Sequence, residues 1–325
     1  MLIAMSSVSC AFIAGPDDAA VSGQDDRHIR LNYIETLRNQ ASLRGEGFRD
    51  VIHTAGTATT LQRPNSVFAN AFRVYVTDQT QPARVFIFDR GDRTASILPV
   101  PAPPLDGKLL APSSVAVDGD NVIYIADAQQ GRVFGYDRNG RLLLTFGKTG
   151  DLAYPAGLAI DKRRNRILIA DSHGHLVKAF TIMGDRLFEI GKEVPADQRF
   201  GSPAGITLDQ EGRIYVLDGQ KKRVYLYDPD GKFLKKISLS QDLPGDSLRP
   251  KGIAVDSAGH IYVTDGINNN ILIFGSDGSL LKTWGKTGTL SGDFWTPLGI
   301  FIDERDTIYI ADQTNGRIQV YQFIK

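Results

Sequence analysis

One cysteine, Cys10, stands in 325 residues. A lone thiol excludes an internal disulfide, a zinc site built on several thiolates, and haem attachment through a paired-cysteine motif. Net charge is lacking too: 37 Lys and Arg face 37 Asp and Glu. A neutral chain has no global field with which to hold a nucleic-acid backbone by its phosphates, although a local basic patch stays open. No apolar run approaches the roughly 20 residues that a membrane-spanning helix requires. Histidine is scarce, at His28, His53, His173, His175 and His260, and no GxSxG, P-loop or Ser-His-Asp order accompanies it.

What the chain has is a repeat. From residue 63 it stacks on a proline, an apolar strand, an Asx-Gly-like turn, and a second apolar strand that ends on Asp. "YPAGLAIDKRRNRILIAD", "SPAGITLDQEGRIYVLD", "RPKGIAVDSAGHIYVTD" and "TPLGIFIDERDTIYIAD" carry it most plainly. The prolines are Pro64, Pro112, Pro155, Pro203, Pro250 and Pro297, at intervals of 43 to 48 residues. The strand-ending acids are Asp78, Asp127, Asp171, Asp218, Asp265 and Asp312. A period of this length means stacked supersecondary units. Each copy reads as four short strands: two almost wholly apolar, then two that alternate as strands nearer solvent do. Asx and Gly at the corners, as in "DPDG" (228–231) and "DRNG" (137–140), supply local hydrogen bonds and positive φ. Four antiparallel strands repeated six times predict an all-β, six-bladed β-propeller.

These segments resemble the NHL-repeat consensus, through "PAGLAID", "PKGIAVD", "IYIAD" and "NGRIQVY" (315–321). The resemblance covers residues 63–325. The first copy, "RPNSVFANAFRVYVTD", is atypical: it lacks the Gly and the first-strand Asp. The chain stops at "RIQVYQFIK", the third strand of the sixth copy, so a fourth must come from the N-terminus if no edge is to be left bare. "HIRLNYIETL" (28–37) is the expected closing strand, with "GFRDVIHTAG" (47–56) a short helix or loop crossing the rim. The resulting division is a leader at 1–10, a flexible acidic linker at 11–27, and the propeller at 28–325, with closing segment 28–62 and repeats 63–325.

The leader, "MLIAMSSVSCAFIAG", is short, apolar and rich in small residues, but has no basic residue before Arg27. "SVSC" resembles a bacterial lipoprotein cleavage box, with Ser7 where that box usually has Leu. This makes Cys10 a lipidation candidate and implies an exported protein, periplasmic or anchored to the outer membrane. The other reading is an N-terminal tail with an incidental thiol.

The strand-ending acids read as turn acceptors for backbone amides, and so do Asp118, Asp161, Asp209, Asp256 and Asp303 at the first turn. His173 and His175, in "DSHGHLV", are the one close histidine pair and the candidate metal ligands of an enzymatic alternative. His175 is aligned with Arg132, Arg223 and Arg317 of other copies, with Arg84 and Asn270 completing the set. Related amidating lyases hold a metal by channel histidines, and lactonase propellers use channel Glu and Asn. The channel positions expected here, Ser66, Ser114, Gly157, Gly205, Gly252 and Gly299, offer little of that chemistry. Loops before the first strand and after the second share one face. That face gathers Tyr154, Phe200, Trp295, Lys221, Lys222, Arg223, Asn268, Asn269, Asn270 and Arg317, rich in residue types that anchor interfaces. The basic runs "KRRNR" (162–166) and "KKR" (221–223) fall on opposite faces. Some NHL domains bind RNA through a basic face, which separated patches on a neutral chain suit poorly. The expectation is a non-catalytic protein-binding scaffold of the bacterial cell envelope, without a cofactor, touching membrane only through a lipid anchor. Proteins of this resemblance often accompany multihaem cytochromes or other envelope complexes. The alternatives are a channel-mouth lyase or lactonase and an RNA-binding domain.

Overall fold

The computed structural model describes residues 30–38, 60–100, 107–147, 150–239 and 247–324. Cys10, the linker and the 47–56 segment lie outside them. Strand β1 (Arg30–Leu37) precedes the repeats. Blade one is β2 (Pro64–Ala69), β3 (Arg73–Asp78), β4 (Arg84–Asp89) and β5 (Thr94–Ile97). Blade two is β6 (Pro112–Val117), β7 (Ile123–Asp127), β8 (Arg132–Tyr136) and β9 (Leu142–Phe146). Blade three is β10 (Pro155–Asp161), β11 (Arg166–Asp171), β12 (Leu176–Thr181) and β13 (Arg186–Ile190). Blade four is β14 (Pro203–Leu208), β15 (Ile214–Asp218), β16 (Arg223–Tyr227) and β17 (Phe233–Ser238). Blade five is β18 (Pro250–Val255), β19 (Ile261–Asp265), β20 (Asn270–Phe274) and β21 (Leu280–Trp284). Blade six has β22 (Pro297–Ile302), β23 (Thr307–Asp312) and β24 (Arg317–Ile324).

Every sheet is a four-stranded antiparallel meander, and the first strands of neighbouring blades meet around a central axis. The fold is a six-bladed β-propeller. Its ring closes through β1, which adds to the outer edge of β24 to give the order β1-β24-β23-β22. Tyr33 pairs with Tyr321 and Leu37 with Ile318, with a bulge between Tyr33 and Glu35. Covering β24 in this way removes an edge that could otherwise template association.

Burial follows distance from the axis. Apart from Arg73 of blade one, the second strands are buried along their whole length. The third strands are nearly so beyond their first residue, where the sequence predicts alternation, with Ile87, Asp89, Thr181 and Gln322 half-buried. Both of their faces are still covered by adjacent blades. Only the fourth strands alternate, as β17 does. The core therefore lies in the seams between blades, as where Phe68 of blade one packs on Phe301 of blade six with centroids 4.8 Å apart.

Two local devices recur. At the first turn of blade five, the Asp256 carboxylate accepts the Ala258 and His260 amides on one oxygen and the Tyr262 hydroxyl on the other, at 3.0 Å. Tyr124–Asp118, Tyr215–Asp209 and Tyr309–Asp303 repeat the tyrosine contact. In blade one Asn70 stands in, accepting from the Phe72 and Arg73 amides. The second device is the glycine two residues after the proline in blades three to six. A Cβ on Gly252 would collide with the Leu298 carbonyl, and one on Gly299 would come 2.5 Å from the Asn65 oxygen. These glycines line the channel, as the sequence suggests, and they also let the inner strand of the next blade approach closely. In blade two Ser114 occupies the place, and its hydroxyl accepts the Leu158 amide of blade three.

Candidate functional site

The six strand-ending carboxylates organise one face of the ring. All are sealed from solvent. Asp218 accepts amides from Gly201 and Ser202, in the loop leading into its blade, and from Gln220 and Lys221, in the loop after its second strand. Asp78 and Asp127 bridge the same two loops in blades one and two. Asp171 does so in blade three, where the Lys178 ammonium adds a contact at 2.9 Å and, with the loop amides, holds the carboxyl below its ordinary value against the opposing effect of burial. Asp265 accepts from Arg249 and Ile267, and Asp312 from Trp295. A buried carboxylate with several donors locks both loops of a blade to each other. The face is pre-shaped.

On this scaffold the sequence candidates separate. Tyr154 and Trp295 are presented to solvent, at 38% and 48% exposure. Tyr154 lies against the His173 ring, centroids 4.6 Å apart. Phe200 and Arg317 are not part of an exposed face, contrary to expectation. Phe200 is 5% exposed and meets Tyr225 edge-on at 5.2 Å, filling the blade interior. Arg317, 4% exposed, pairs with Asp312 at 2.7 Å and donates to the carbonyls of Thr289, Leu290 and Asp293. Its guanidinium is fully spent inside the fold.

Lys221, Lys222 and Arg223 are half-buried, and Lys221 donates to the Arg199 carbonyl. Asn268 donates to Asp265, and Asn269 ties its loop to blade six through Thr287 and the Thr296 amide. Asn270 opens β20 opposite Asp265. Asn268 and Asn269 are thus loop architecture, while the Asn270 side-chain oxygen is buried without a hydrogen-bond partner.

His175 sits one residue earlier than its sequence alignment implies. Asp171 pairs with Leu176 just as Asp127 pairs with Arg132, so His175 matches Gly131, Lys222, Asn269 and Gly316. All five have positive φ, between 52° and 61°. It is the left-handed corner of the turn. Its Nδ1 is 2.6 Å from the Gly201 carbonyl, while His173 stacks on Tyr154. Among the described residues no three His, Cys, Asp or Glu side chains gather as a metal site would need.

Inside the ring runs a cavity of about 1390 Å³, lined by residues of all six blades. Its wall is apolar at mid-height, with Val115, Leu158, Ile206, Ile253 and Ile300, and polar at both mouths. At the mouth on the Tyr154 side lie Arg63, Arg249 and Lys251, which sequence reasoning did not single out.

Residues 148–244 match the family model described as SMP-30/Gluconolactonase/LRE-like region, and residues 254–325 the one described as 6-bladed beta-propeller. Over 144 residues, 43% of this chain, it is 29% identical to Protein brain tumor of Drosophila melanogaster and 27% identical to B-box type zinc finger protein ncl-1 of Caenorhabditis elegans. The chain is a six-bladed β-propeller that is similar to NHL-type propellers. The aligned stretch spans only 13% and 16% of those two relatives. Among solved structures, this propeller resembles virginiamycin B lyase from Staphylococcus aureus with a TM-score of 0.58, at 14% identity over 91% of this chain and 100% of that one. It resembles an auxiliary nutrient binding protein from Bacteroides thetaiotaomicron with a TM-score of 0.61, at 13% identity over 82% of this chain and 71% of that one. A structural genomics protein of unknown function from the same bacterium gives 0.65, at 17% identity over 91% and 77%. At such identities the likeness is one of fold alone.

Proposed function

We propose that this propeller is a non-catalytic protein-binding scaffold that works through the face carrying Tyr154 and Trp295. The observation that carries the reading is the pairing of two exposed aromatic rings with loops fixed by sealed carboxylates. Exposed aromatics supply large contact area at small entropic cost, and loops already held in place have little ordering left to lose on binding. Trp295 gives its own amide to Asp312, and Tyr154 gives its to Asp171, so each ring is anchored one bond away from a buried acid.

The leader ending at Cys10 supports an exported, envelope-located form of this scaffold, with lipidation at that residue as its tether. Intact-mass measurement of the protein from its native membrane fraction tests the tether. Site-specific photo-cross-linking from the two aromatic positions tests the binding face.

A further inference from the structure

The two mouths of the central cavity differ in charge. On the side of the first turns, Asp161, Asp209, Asp256 and Asp303 share the rim with Lys162 and Arg305. Signs are mixed there, and pairs form: Asp161 with Arg166 at 2.9 Å, and Asp209 with Arg213 at 2.6 Å. On the Tyr154 side the charged residues lining the cavity are Arg63, Arg249 and Lys251, all exposed and all cationic. None of them pairs with a carboxylate among the described residues. The acids nearest that face, the strand-ending aspartates, are sealed behind the loops and engaged by backbone amides.

Position reinforces the asymmetry. Arg63 leads into blade one, while Arg249 and Lys251 flank the proline of blade five. Blade six lies between them, and its Thr296 and Gln313 line the same mouth. Lys251 opens into the cavity, with protein packed along part of its side chain. Burial first, and Arg249 second, hold its ammonium below the ordinary lysine value. Three like charges around one mouth, Arg249 and Lys251 near enough to repel each other, are a cost that a bound anion lowers.

We infer that this mouth is a binding site for a small organic or inorganic oxyanion, a carboxylate or phosphate group seated between Arg63 and the Arg249–Lys251 pair. Guanidinium forks suit the two oxygens of such a group, and Lys251 adds a point charge from the channel wall. Gln313 and Thr296 offer neutral polar groups from the intervening blade. The inference goes beyond the scaffold reading, because it concerns the cavity and not the outer aromatics.

The test is isothermal titration of the purified chain at low ionic strength, separately with inorganic phosphate and with succinate. Saturable binding of one equivalent of either is expected. Phosphate alone would mark a tetrahedral oxyanion site, and succinate alone a carboxylate site. Arg249→Gln and Lys251→Gln, singly and together, should weaken it, the pair by about tenfold or more. Arg305→Gln, at the opposite mouth, should leave it unchanged. Thermal melting of each variant confirms folding, and Lys251→Met serves if a glutamine variant melts early. No saturable binding of either anion overturns the inference, as does binding that the folded double variant retains in full. Neither result bears on Tyr154 or Trp295, so the scaffold reading fails or stands separately.

Discussion

Arg90 donates to the Tyr309 hydroxyl at 3.0 Å across a sequence separation of 219 residues. The same guanidinium lies 3.3 Å from Glu35 of the closing strand, and Tyr309 in turn reaches Asp303. One arginine thus touches blade one, blade six and β1, the three pieces that meet where the ring closes. Arg90→Ala should lower stability by about 1–3 kcal/mol, the worth of a charged hydrogen bond that leaves a buried partner unmet. Urea denaturation measures it, with exposed Arg305→Ala expected to change little.

Asp218 is expected to matter more than any other polar residue of blade four. Its carboxylate is sealed and takes four loop amides. Asp218→Ala strands those donors and should cost about 3 kcal/mol or more. Asp218→Asn keeps an acceptor and should cost less. Denaturant midpoints of the two variants rank them.

Close packing between inner strands gives a contrast between glycines. Gly252→Ala drives a methyl into the Leu298 carbonyl and should destabilise by about 1–3 kcal/mol. Gly119 has nothing within 4 Å of a built Cβ, so Gly119→Ala should be neutral or slightly stabilising. Paired thermal melts separate the two.

Features set by the local chain were legible in the sequence: the prolines that open inner strands, the acids that end second strands, and the β-rich 30–37 segment that closes the ring. Features set by neighbouring blades were not. The glycine after Pro-x was legible as a channel position, but its packing reason, the backbone of the next blade, lies some 45 residues away. Phe200 and Arg317 have the composition of an interface and the burial of a core, and composition does not report burial. Their signal was present in part, since Arg317 stands five residues after Asp312 and the two pair across the ladder. The same five-residue count places Leu176, not His175, opposite Asp171. Arg63 and Arg249 were visible as recurring Arg-Pro steps in copies one and five, but only the ring brings those copies to either side of blade six.

Lys251 links stability to the inferred site. Its folded value lies below the ordinary 10.5, so the protonated side chain costs stability at any pH where both folded and unfolded chains carry the charge. The cost is complete below the folded value, fades as pH rises from there towards 10.5, and is gone above 10.5. Lys251→Met should therefore raise the melting temperature of the ligand-free protein around neutrality, with the gain shrinking in strong alkali. A melting-temperature series against pH checks the sign.

The central claim, that one face of the propeller is built to bind a protein partner, is tested most directly by photo-cross-linking in the native cell. A photoreactive phenylalanine is placed at Tyr154 or Trp295, and as control at Glu304, which is exposed on the opposite face. The account predicts a discrete protein adduct from both aromatic positions and none from the control. Adducts of equal yield from both faces, or none from either aromatic position, would contradict it.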